Sequence, residues 1–210
     1  MLRASVVQQL GFFGDETVLL EARTRYERFL NNPRTLTGDL RGAVLNVIGR
    51  HADDATYARL HELAKAEKST EQKRLLYGAL ANSSNAKHAA QTLALSVTDE
   101  LVPRAATRLV IDVALDGEHP DDAWAFAKAN LPALFAKQSS IKANDYVPGI
   151  FRAFTDPIRA NELEQFAAQE LPADAAPLAA RAADEIRFKA ELKSRILPEI
   201  DAWCRSQAKP

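Results

Sequence analysis

The chain has 210 residues, 47% hydrophobic and 26% charged, with a formal net charge of −1 and a pI near 6.4. That length suits one sizeable domain or an elongated repeat array, and the balanced charge supplies no basic face for nucleic acid. No stretch approaches the ~20 apolar residues that a membrane span needs, and a single cysteine, Cys204, excludes an internal disulfide.

The first residues, MLRASVVQQLGFF, lack a signal peptide's apolar run and small-residue cleavage site. A cytoplasmic location is the favoured expectation, and a disulfide-free periplasmic one stays open. Glycine is scarce, with 8 residues. Alanine, the best helix former, is abundant. The alternating β-branched runs that mark strands are missing, so the chain reads as all-α.

In chain order, 15–30 opens with an acidic cap and places Val18, Leu19, Ala22, Tyr26, Phe29 and Leu30 on one helical face. Pro33 and Gly38 then break the chain. A short, mostly buried helix is expected over 40–51, and a second over 53–68 capped by Asp53 or Asp54. The segment 69–83 begins S-T-E-Q, which has the form of a capping box. NAKHAAQTLALSV follows, then a helix expected over 98–117 and another over 119–137, which Pro132 is expected to divide. NDYVPGIFRAF and DPIRANELEQFAAQEL form a further pair. The tail from Pro172 to Gln207 is helical with a break or kink expected near Pro198.

An internal repeat runs through these helices. LGFFGDETVLLEA (10–22) can be laid over IGRHADDATYARL (48–60), and the element recurs loosely at LANSSNAKHAAQTL and VALDGEHPDDAWAF. The spacing of roughly 32–38 residues is that of helix-pair solenoids. One helix pair cannot bury its own apolar faces, whereas stacked pairs share a continuous core. The expected architecture is therefore a curved solenoid of stacked antiparallel helix pairs, HEAT/armadillo-like, forming a single α-helical repeat domain over 1–210.

The stretch DDAWAFAKAN (121–130) resembles the A-W-x-F-x-x-x-N helix in the C-terminal domain of the gluzincin aminopeptidases, which include aminopeptidase N and the puromycin-sensitive and endoplasmic-reticulum aminopeptidases. Further blocks resemble that domain in the same order: LGFFGDETVLLEARTRYERFL, LRGAVLNVIGRHADDATYARLHELAKA, STEQKRLLYGALANSSN, YVPGIFRAFTDPIRANELEQFAAQE and the closing IDAWC. The series covers nearly all of the chain but only the later two-thirds of the family's domain. It departs from the family at Asn130-Leu131, where Asn-Trp is usual, and late in the domain, where the aromatics are reduced to Phe188 and Trp203. The resemblance implies an excised, non-catalytic fragment. Its partners would be the catalytic domain of a parent aminopeptidase, which carries the zinc, and a peptide substrate that the domain encloses. No cofactor is expected in this chain itself.

The chain's own chemistry is sparse. HELAK (61–65) starts like the zinc-peptidase motif H-E-x-x-H, but Lys65 stands where the second histidine belongs. No two of His51, His61, His88 and His119 have the spacing of one helical turn. HELAK thus reads as an amphipathic helix with Tyr57, Leu60, Leu63 and Ala64 as its buried stripe. Asp53-Asp54 and Asp121-Asp122 sit at helix starts as caps and dipole partners. Ser83-Ser84 reads as a turn with no triad context, and Cys204 lacks a visible base. For a peptide carboxylate, bidentate arginine has the right geometry. Arg50, with His51 beside it, and Arg104 and Arg108, one turn apart, are the candidate contacts. The other reading is a stand-alone helical-repeat adaptor that binds a protein partner in its groove.

Overall fold

A computed structural model describes residues 2–36, 38–138 and 140–207. Among these residues the structure is helical, without strands. The chain divides into two compact units, Met1–Lys137 and Gln138–Pro210.

The first unit holds α1 (Leu2–Phe12), α2 (Glu16–Asn31), α3 (Asp39–Arg50), α4 (Asp54–Ala66), α5 (Thr70–Ala81), α6 (Ala86–Leu95), α7 (Pro103–Leu115) and α8 (Pro120–Ala136). Consecutive helices pack as pairs, α1 on α2 through α7 on α8. The odd-numbered helices also pack on one another in a row, and α2, α4 and α6 each pack on the odd-numbered helix that follows. This is the stacked-pair arrangement that the repeat implies. Its core is Leu45, Leu60, Leu80, Val110, Val113 and Trp124.

Local chemistry sets the helix starts. Asp15, Asp53, Ser69, Asn85 and Asp156 each place a side-chain oxygen on an unpaired N–H of the following helix's first turn, and such a cap is worth about 1 kcal/mol. Of the two acids offered at 53–54, Asp53 is the cap, accepting from the Thr56 N–H at 2.8 Å. The S-T-E-Q box is only half made. Ser69 accepts from the Gln72 N–H, but the Gln72 side chain instead receives Arg41, and the Ser69 N–H goes to Glu67.

Three expected boundaries change. α7 starts at Pro103, not at 98. Residues 98–102 form a turn that carries Glu100 back onto α4 and α5, and Pro103 takes the first helical position, where its missing N–H costs nothing. Pro132 does not divide its helix, since α8 runs unbroken from Pro120 to Ala136. Pro198 likewise lies inside an unbroken α11. A proline deletes one backbone hydrogen bond but does not end a helix whose flanking turns remain bonded.

The second unit contains α9 (Ser140–Phe151), α10 (Pro157–Glu170) and α11 (Ala176–Gln207). α11 packs on α10 and α9 through Ala179, Ala182, Ala183 and Ile186, against Ala160, Leu163 and Phe151. The alanines let the helices approach closely.

Candidate functional site

The repeat element builds a row of turns at one end of the odd-numbered helices. Its glycines sit where neighbouring helices come closest. A Cβ on Gly11 would lie 2.3 Å from a Val47 methyl, one on Gly49 would lie 1.9 Å from the Ala79 carbonyl oxygen, and one on Gly117 would lie 2.4 Å from that of Ala81. The recurring glycine is thus a close-approach residue between successive pairs.

Each turn also satisfies a carbonyl of the turn before it. His51 Nε2 donates to the Gly11 carbonyl at 2.8 Å, Ser84 Oγ to that of Arg50 at 2.9 Å, and His119 Nε2 to that of Ser83 at 3.1 Å. The last carbonyls of a helix have no partner within it. Here the next repeat supplies one, so the caps bind neighbouring pairs together.

Arg50 lies at the centre of this row. Its guanidinium carbon stands 3.6 Å from the centre of the Phe12 ring, and its nitrogens reach Glu118 at 2.5 Å and the Asp116 carbonyl at 3.5 Å. The arginine side chain is only 11% exposed. Glu118 is held with φ of 61°, the one non-glycine at positive φ among the described residues. That backbone region is uncommon for a side-chain-bearing residue, and here it aims the carboxylate at Arg50. Arg50 and His51 therefore both spend their polar atoms on contacts between turns.

Arg104 and Arg108 share the exposed side of α7. Arg108 pairs with Asp112 at 2.5 Å, whereas Arg104 makes no ion pair among the described residues. Burial pushes the carboxyl of Asp112 above its usual range against the pull of Arg108, and burial raises Asp116 as well.

Two polar clusters were not foreseen. The first joins Ser83, His88 and Asp54, in the order of a nucleophilic triad. His88 Nε2 donates to Asp54 at 2.8 Å, and the Ser83 hydroxyl donates to Nδ1 at 3.1 Å. This corrects the expectation that Ser83 has no triad context, but the setting is structural. Ser83 and His88 are each 1% exposed, so no substrate carbonyl can reach the hydroxyl. The Ser83 oxygen also accepts from the Asn85 N–H, and the imidazole stacks on Tyr57 at 4.3 Å. Hydrogen bonds from Lys87 first, then His88, hold Asp54 below the ordinary carboxylate range. The cluster thus ties the start of α4 to the turn before α6.

The second cluster answers the question posed by HELAK. His61 donates to Glu100 at 2.5 Å and the Tyr77 hydroxyl donates to the same oxygen at 2.6 Å. Burial alone would raise Glu100, but these bonds and the charges of His61 and Lys65 outweigh it and leave the carboxyl below its usual range. His61 and Lys65 therefore face one carboxylate, which anchors the 98–102 turn. Among the described residues, no group of three His, Cys, Asp or Glu side chains is placed to hold a metal ion.

A cavity of about 190 Å³ lies among α1, α2 and α3 and is walled by Val7, Val18, Ala22 and Val44 with Arg3 and Arg25. Beside it, α1 is apolar on two sides. One side packs on α3 through Gly11 and Val47. The other leaves Leu2, Val6, Leu10 and the following Phe13 exposed at the spacing of a single helical stripe. Among the described residues, no helix is long and apolar enough to cross a membrane.

A family model described as the ERAP1-like C-terminal domain matches residues 1–188. The match spans both units and stops short of the IDAWC stretch.

Proposed function

The chain belongs to the ERAP1-like C-terminal domain family of aminopeptidase-type enzymes, and from that premise we propose that it is the non-catalytic part of a zinc-dependent aminopeptidase. It encloses the active-site cavity of a catalytic domain encoded upstream and limits which peptides reach the metal. The zinc and the water-activating glutamate belong to that upstream domain, and the chemistry is removal of N-terminal residues. This chain acts by shape and charge. Motion of the domain against the catalytic domain would gate turnover.

The match across most of the chain is the observation that carries the reading. The exposed stripe of α1 supports it, because contiguous apolar surface in water marks a place where another part of the protein packs. Of the four basic candidates, Arg104 best supports a peptide contact, since it is exposed and makes no ion pair among the described residues. Arg108 is half committed to Asp112, and Arg50 and His51 are committed to the turns.

The test uses aminoacyl chromogenic substrates and peptides of graded length. The 210-residue chain alone should hydrolyse none of them, and adding it to the separately produced catalytic region should change the dependence of rate on peptide length. Chelator-sensitive hydrolysis by this chain alone would contradict the proposal. So would a length dependence that the chain leaves unaltered.

A further inference from the structure

One arginine shows which way the first unit bends. Arg50, at the end of α3, stacks on Phe12 at the end of α1 and reaches Glu118 and the Asp116 carbonyl beyond α7. In a flat row with about 9 Å between neighbouring axes, the ends of α1 and α7 would stand roughly 27 Å apart, farther than these side chains can span. The odd-numbered row is therefore concave on the side that carries Arg50. The surroundings of α5 have the same sense. Leu75 and Ala79 face α3, whereas Arg74 and Ala81 face α7 and the turn after it. At 100° per residue these two directions lie about 130° apart, and Gly78 points into the smaller angle between them, the inside of the bend.

Two residues of this hollow do nothing to hold the fold. Gly78 lies inside α5, where glycine is a poor helix former. Gly11, Gly49 and Gly117 are each crowded by a neighbour, but a Cβ on Gly78 would meet nothing within 4 Å. A glycine that its own fold does not require leaves room for another backbone to come close. Asn46 lies inside α3, one turn before Arg50 and within about 40° of it around the helix. It is half-buried, and its carboxamide makes no hydrogen bond among the described residues. The Gly42–Leu75 and Gly49–Ala79 contacts put Asn46 level with residues 76–79 of α5. It thus stands one interhelical distance, about 8–10 Å, from Gly78. On the far side of Gly78, Ile111 and Leu115 lie within about 40° of each other on the exposed side of α7.

We propose, on the footing that this domain handles peptides, that Gly78 and Asn46 seat the backbone of an extended peptide inside the hollow. A carboxamide donates and accepts at once, which matches the N–H and C=O of a peptide chain, and the glycine lets that chain lie against α5. Three residues of extended chain span about 10 Å, enough to pass from Asn46 over Gly78 towards Ile111 and Leu115. A helical or folded partner has its peptide groups already paired, so the seat selects unfolded chain.

Fluorescence anisotropy tests the seat, with a fluorescein-labelled ten-residue peptide of alanine, serine and leucine titrated with the 210-residue chain. Saturable binding is expected, weakened about tenfold by Asn46→Ala or by N-methylation of the central peptide amides. Gly78→Leu should abolish it with helical circular dichroism unchanged, because the added side chain enters open space. No binding at millimolar chain, or binding indifferent to both variants, would overturn the proposal. The role in substrate access fails separately. If the peptide binds through Gly78 and Asn46 while the chain leaves the length dependence of the catalytic region unaltered, the seat stands and that role falls. If the chain alters the length dependence and both variants alter it equally, the role stands and the seat falls.

Discussion

Replacing Gly49 with alanine drives a methyl group into the backbone of the next helix pair. The new Cβ would stand 1.9 Å from the Ala79 carbonyl oxygen and 2.6 Å from its carbon. Ordinary contact begins near 3.4 Å, so α3 and α5 must separate by about 1.5 Å at this point or the helix must deform. No flexible side-chain end is available to yield. Overpacking of a well-filled interior costs roughly 1–3 kcal/mol, and a rigid backbone neighbour puts this site at the upper end. Alanine's better helix propensity returns up to about 1 kcal/mol, leaving a net loss of about 2 kcal/mol. Gly78 is the internal control. It lies in α5, and a Cβ there meets nothing within 4 Å. Gly78→Ala should be neutral or stabilising by up to about 1 kcal/mol. Urea denaturation followed by circular dichroism at 222 nm measures both. If Gly49→Ala were no less stable than Gly78→Ala, the close approach of successive pairs at the repeat glycine would be wrong.

Other perturbations probe the polar clusters. Asp54 has a depressed folded-state pKa, so its stabilising contribution is present above its unfolded value, near ~4, and is lost as pH falls through the folded value. Melting temperature against pH should therefore fall less steeply on the acid side in Asp54→Asn than in the unsubstituted chain, and parallel acid limbs would refute the clamp. Asp112 behaves oppositely: burial raises its folded pKa, so its contribution is present at low pH and is lost as pH rises through that value. Asp112→Asn should accordingly raise the melting temperature at pH 7 and leave it nearly unchanged below pH ~4, and a lower melting temperature at pH 7 would show that the Arg108 pair outweighs burial. Arg50→Ala should cost about 1–2 kcal/mol through the lost Phe12 stacking and Glu118 pair, whereas Arg104→Ala should stay within about 0.5 kcal/mol. Equal effects in denaturant would mean that Arg50 does not hold the turns together.

Features set by neighbours in sequence were legible from sequence. Asp15, Asp53 and Ser69 cap helices as read, because the residues they bond lie three positions ahead, and Asn85 and Asp156 cap by the same local rule without having been singled out. The recurring glycine was visible as a pattern, and of the stripe expected from helical spacing Tyr57, Leu60 and Ala64 are buried whereas Leu63, at its edge, is only half-buried. What escaped depends on packing between distant segments. Nothing near Arg50 announces Glu118, 68 residues away, as its partner. Asp54 looked like a capping acid because it stands beside the true cap, and its bond to His88 forms only when α4 and α6 meet. The start of α7 was misplaced because Thr98, Asp99 and Glu100 imitate a helix entry, while Glu100 is drawn away by His61 and Tyr77. The one faint signal was Pro103 itself, a residue suited to the first helical position.

The account stands most directly on what the parent gene encodes ahead of Met1. Reading that frame is the measurement to make. The account predicts an in-frame H-E-x-x-H followed by a glutamate at gluzincin spacing, which would supply the zinc site that HELAK only echoes. A stop codon directly before Met1 would contradict it and leave a free-standing helical-repeat protein.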